Sequence, residues 1–174
     1  MAEDLPFVDA NIFLRHFRQD HAEHSPRATA FLQRIETSDE RARTADTVVF
    51  ETVFLLERTY REPRATIRDI LLPFLLLPNM VLPNKRRMHR AFRLYVAHPK
   101  LSFAGCFHIA LMEGLGLSVM ASFDQKISQV RTITRRSRIV RDSSPDCSPH
   151  ATGARDPTHE PAQANQRHHP RRRR

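Results

Sequence analysis

The sequence predicts an α/β domain built on short parallel strands and carrying a carboxylate site. Three observations lead there. Short apolar runs alternate with segments of helical periodicity, the pattern of strands joined by crossover helices. Large apolar side chains stop at Val140, and residues 141–174 contain no Val, Ile, Leu, Met, Phe, Tyr or Trp. Finally, Asp9, Glu51 and Asp124 each interrupt or end a markedly apolar run. A charge among core-forming residues costs several kcal/mol unless it is paired or binds a metal.

Pro6-Phe7-Val8-Asp9 reads as a short buried strand leading into a helix over residues 10–19. Ser25-Pro26 is an N-cap followed by a first-turn proline. The helix it opens places Ala30, Phe31, Leu32 and Ile35 toward the core. Residues 43–46 fit a second strand. Residues 47–60 form the clearest helix, apolar enough to be largely buried. Residues 63–77 are helical, with a kink or split expected at Pro73.

Residues 79–82 fit a strand. Asn84 then starts a helix carrying Met88, Ala91, Phe92, Tyr95 and Val96 at helical spacing. Ser102 caps a helix that ends at Gly114 and Gly116. Residues 117–121 read as a buried strand that delivers Asp124, and residues 132–140 as a final edge strand.

Composition divides the chain into a globular domain over residues 1–140 and a disordered basic tail over 141–174. The tail cannot bury enough surface to offset its ordering entropy. The net charge of +9 has both parts behind it: 21 Lys and Arg against 15 Asp and Glu in residues 1–140, giving +6, and 7 against 4 in the tail, giving +3. A basic surface favours polyanionic partners, nucleic acid above all. Cys106 and Cys147 form no metal knuckle or disulfide framework, so a reducing cytoplasm is expected. No secretory signal is expected at the N-terminus. The apolar stretch 70–82 is short and broken by Pro73 and Pro78, so no membrane span is expected.

In an open parallel sheet, ligands bind beyond the carboxyl ends of the strands. Asp9 and Asp124 each end a predicted strand, and Glu51 enters from the following helix. Oxygen ligands of this kind suit Mg²⁺ or Mn²⁺ rather than zinc. Each acid also has a simpler reading. Asp9 and Asp124 could N-cap the next helix, and Glu51 could lie on a solvent-facing stripe.

Four separated segments carry a resemblance. Residues 7–14 (FVDANIFL) are similar to the opening motif of PIN domains, and residues 51–58 (ETVFLLER) to their second. Residues 101–111 (LSFAGCFHIAL), followed by Ser122-Phe123-Asp124, are similar to the third and fourth. The resemblance spans about residues 5–133. It is nearest to the VapC-like ribonuclease toxins of type II toxin–antitoxin systems.

What it implies is a three-layer α/β/α sandwich with a short, mostly parallel sheet and a metal-dependent ribonuclease site. Asp9, Glu51 and Asp124 would be the catalytic metal ligands. Asn11 stands where a residue usually orients the first acid, and Ser122 where a hydroxyl precedes the last. It also implies an RNA substrate, a cognate antitoxin and a homodimer.

Gly105 departs from the pattern, because the family places Asp there, and it marks a lost ligand position. His108 and Glu113 are the nearest polar residues, and neither is an obvious substitute. Two functions follow as expectations. One is an Mg²⁺-dependent endoribonuclease toxin, weakened by Gly105. The other is a catalytically inactive PIN-fold protein that binds RNA or sequesters an antitoxin. The tail is either without a role or a basic arm that adds RNA affinity.

Overall fold

The computed structural model describes residues 4–137. The tail over 141–174, with Cys147, lies outside the described residues. Residues 6–8 run beside β1 (Ala42–Arg43), joined by Val8 N–H to Arg43 O at 2.7 Å and Arg43 N–H to Pro6 O at 2.9 Å. β1 pairs in parallel with β2 (Met80–Val81), in the register Ala42↔Met80 and Arg43↔Val81. A separate parallel ribbon joins β3 (Val119–Ala121) to β4 (Thr134–Arg136). Six helices surround these strands: α1 (Ala10–Arg18), α2 (His24–Glu36), α3 (Asp46–Arg58), α4 (Arg64–Leu76), α5 (Lys85–Ala97) and α6 (Phe103–Gly114). This is the α/β architecture expected, with every strand pairing parallel.

Sequence explains most of these boundaries. Ser102 Oγ accepts the Gly105 N–H at 3.1 Å, which satisfies one of the orphan donors at the start of α6. Asn84 precedes α5 in the left-handed conformation that Asn tolerates better than most residues. α3 buries Val48, Val49, Thr52, Val53 and Leu56 on one face. Phe103 and Phe107 of α6 meet Phe50 of α3 edge-on at 5.6 and 4.9 Å between ring centroids.

Four expectations need correcting. α2 begins at His24, so Ser25 lies inside it, and its hydroxyl accepts the His21 N–H instead of capping from outside. The buried positions of α2 are Ala28, Leu32 and Ile35, while Ala30 is exposed. α4 runs unbroken through Pro73. Pro73 and Asp69, whose carbonyl loses its helical donor to the proline, are both exposed, so water can take up the free acceptor. β3 is not buried: Leu117, Val119 and Ala121 are exposed. Among the described residues β3 pairs only with β4, so its apolar side chains lack the neighbours that a central strand would have.

Arg64 is the chief polar tie of the helical side. Its guanidinium donates to Glu57 and to the backbone carbonyls of Tyr95, His98 and Leu101 at 3.1, 3.2 and 2.8 Å. It also lies 4.3 Å from the Tyr95 ring centroid. One cation thus joins α3, α4 and the carboxyl end of α5, where the helix dipole favours positive charge.

Candidate active site

The three acids reach solvent by different routes. Asp9 follows the 6–8 strand and precedes α1 in extended conformation, yet its side chain makes no capping bond. Instead Asn11 Nδ2 donates to Asp9 Oδ2 at 3.1 Å. The capping alternative therefore does not describe Asp9. It does describe Asp124, whose Oδ1 accepts the Lys126 N–H at 2.9 Å at the head of the 3-10 helix Gln125–Gln129. The Asp124 N–H in turn donates to Ser122 Oγ at 3.0 Å. Glu51 projects from the second turn of α3, exposed and without a hydrogen bond or ion pair among the described residues.

Hydrogen bonding places Asp9 and Asp124 on different pieces of sheet. Asp9 belongs to the 6–8, β1, β2 group, and Asp124 to the β3–β4 ribbon. No strand pairing fixes the distance between them. Among the described residues no group of three or more His, Cys, Asp or Glu side chains is placed to hold a metal ion. The donor chemistry suits a hard divalent cation, but the acids are not drawn into a preformed cluster.

At Gly105 the space for a side chain exists. A Cβ there would meet only Ser102 Oγ, at 3.3 Å, which requires a small shift of that hydroxyl. His108 is exposed one turn further along α6, and no metal-holding group among the described residues includes it. Glu113 is fully engaged: Arg90 donates to both of its oxygens at 2.7 and 2.9 Å, and Thr132 Oγ1 donates at 2.8 Å. The Arg90 hydrogen bond holds the Glu113 carboxyl below its ordinary pKa. Neither residue replaces a ligand lost at 105.

The structure adds one acid to this edge. Asp46 opens α3 directly after β1, as Asp9 follows the strand paired with β1. Its Oδ1 is buried without a hydrogen-bond partner. Burial raises its pKa, and the charge of Arg87 pulls it back. Its one signal in the sequence is an Asp just ahead of the apolar run 48–56, where it reads only as the end of a strand. Cys106 is buried, which pushes its thiol up to about 11 and excludes it as a nucleophile.

No helix among the described residues is long and apolar enough to cross a membrane. Comparison with curated proteins finds no match. The family model of the PIN domain matches residues 7–133, from the first strand to the approach of β4 and across all three acids. The chain therefore belongs to the PIN domain family, whose members are generally metal-dependent nucleases.

Proposed function

We propose that the protein is an Mg²⁺-dependent endoribonuclease acting as the toxin of a toxin–antitoxin pair in the cytoplasm, with Asp9, Glu51 and Asp124 as the metal ligands. The observation that carries this reading is the family match spanning all three acids, which are all solvent-exposed. Asp9 supports it further, since its carboxylate is turned away from the capping role that its position offers. Asn11 steadies that carboxylate, and Ser122 holds the backbone of Asp124. A divalent ion in such a site contributes phosphate polarisation and an activated water. Mn²⁺ fits the same oxygen donors. A cognate antitoxin and a homodimer are part of the same proposal.

Gly105 favours a second reading, a PIN-fold protein that binds RNA or sequesters an antitoxin without cutting. Incubation of a structured RNA with the full chain in Mg²⁺, in Mn²⁺ and in EDTA separates the two. Cleavage that EDTA stops and Asp9→Asn removes supports the nuclease. RNA binding without cleavage in either metal supports the second reading.

A further inference from the structure

Helix α5 has a charge distribution that the acidic edge does not use. Lys85, Arg86, Arg87, Arg90 and Arg93 lie along it, and it contains no Asp or Glu. Met88, Ala91, Phe92 and Tyr95 are buried on its other side, while Arg86, His89 and Arg93 are exposed. Arg93 lines a cleft of about 540 Å³ that also carries Arg68, Arg90, His98, Arg131 and Thr132.

These cations are not equivalent. Arg68 pairs with Asp69, and Arg90 with Glu113. Arg93 and Arg131 have no acidic partner among the described residues. They sit on two different segments, and the Arg90–Glu113–Thr132 hydrogen bonds brace those segments against α6. Two uncompensated guanidinium forks on a braced frame match the geometry of phosphate oxygens. An acidic helical partner would also need an apolar groove for its anchors. Leu94 and Val130 are 3% and 4% exposed, and the partly exposed Val96 and the small Ala97 are the apolar side chains left at the cleft surface, too few to seat a row of helical anchors.

None of the three acids lines the cleft. Residues 129–132 lead into β4, which pairs with β3 in the parallel register Val119↔Thr134. Asp124 lies beyond the opposite end of that ribbon, about 10 Å away at some 3.3 Å per residue.

We propose that this α5 cleft binds the phosphate backbone of single-stranded RNA through Arg93 and Arg131, as an anchor separate from Asp9, Glu51 and Asp124. The inference rests on the nuclease reading only for the choice of RNA as the polyanion.

The test uses the full chain and a short fluorescein-labelled oligouridylate in EDTA, followed by anisotropy over a range of salt. Arg93→Ala with Arg131→Ala should weaken binding roughly tenfold at low salt and reduce the salt slope by about 1.4, at about 0.7 for each single-strand phosphate no longer neutralised. Arg27→Ala with Arg34→Ala removes the same charge from α2 and should leave the slope nearly unchanged. Melting curves establish that both pairs fold. The Lys pair at 93 and 131 keeps the charge and should recover most of the slope. Equal losses from the two Ala pairs would reduce the effect to net charge and overturn the site. Unchanged binding by the 93/131 pair would overturn it as well. So would a 93/131 pair that binds RNA normally but loses binding to polyglutamate. A chain that never cleaves RNA yet shows the specific loss defeats the nuclease reading and leaves the cleft standing.

Discussion

Two glutamates of α3, one in its second turn and one in its last, have opposite fates. Glu57, near the carboxyl end, is half-buried and held by Arg64, which also gathers three carbonyls from the end of α5 and the turn after it. Glu51, close to the middle of the helix, is exposed and has no partner among the described residues. One helix therefore joins a densely satisfied packing region to an edge whose polar groups remain open. Stability and chemistry then separate along it. The Arg64 end restrains α4 and α5, and the Glu51 end leaves carboxylate oxygens available to a ligand.

The sharpest way to break this comparison is to neutralise an acid at the open end. Asp9→Asn should lower RNA cleavage by 10²-fold or more, the ordinary scale for losing a catalytic group's placement. Its melting temperature should scarcely move, because among the described residues the Asp9 side chain makes only the exposed hydrogen bond with Asn11. Surface substitutions of this kind usually change stability by less than about 0.5 kcal/mol. A large fall in melting temperature would show that Asp9 has a structural task and that the two ends are not separate.

Arg64→Ala should do the reverse. It removes a charged donor from one carboxylate and three carbonyls and leaves Glu57 unpaired in a half-buried setting. Losses of about 2–4 kcal/mol are usual for such a group. Denaturant titration measures this. A loss below about 0.5 kcal/mol would place the Arg64 interactions among surface pairs of little net value.

The difference between the ends also decides what the sequence could reveal. Ser102, Asn84 and the 48–56 run act on neighbours within a few residues, so their consequences can be read locally. Arg64 cannot be read that way, because its carbonyl partners lie 31, 34 and 37 residues later. Periodicity likewise promises a buried β3, since Val119 and Met120 resemble any core strand. Burial depends on what lies across from a strand, and among the described residues only β4 pairs with this one. The acids are visible as residue types in unusual company. Their mutual placement is not, because it turns on how the two pieces of sheet are held, and no local pattern encodes that. Asp46 is hidden for a related reason: its unpartnered buried oxygen is a property of packing.

Gly105→Asp sharpens the comparison at the open end. The added Cβ meets only the Ser102 hydroxyl, and an acid in the first turn of α6 is favoured by the helix dipole by about 0.3–1 kcal/mol. Replacing glycine in a helix contributes roughly another 0.5 kcal/mol. Stability should therefore hold or rise slightly, while Mg²⁺-dependent cleavage and Mg²⁺ affinity by calorimetry both increase. Unaltered cleavage with a correctly folded protein would remove the lost-ligand explanation.

The smallest effect concerns His16, which belongs to the packed side. Its ring packs tilted against Phe17 and edge-on against Phe74, with centroids 5.0 and 5.1 Å away, and Nδ1 lies 3.0 Å from Thr29 Oγ1. Burial lowers its pKa below the ordinary 6.5, and the charge of Glu36 partly offsets this. The unfolded chain therefore takes up this proton at higher pH than the folded chain does. The His16 contribution to stability is fully present above 6.5 and is lost as pH falls from there through the folded value. Melting temperatures at about pH 7.5 and about pH 5.5 lie on either side of the ordinary value from which the loss begins. The parent chain should lose more stability over that interval than His16→Gln, which has no imidazole to charge. Equal losses would assign the pH dependence to other groups. Asp46 could not be one of them, because its raised pKa acts in the opposite direction and favours the folded state as pH falls.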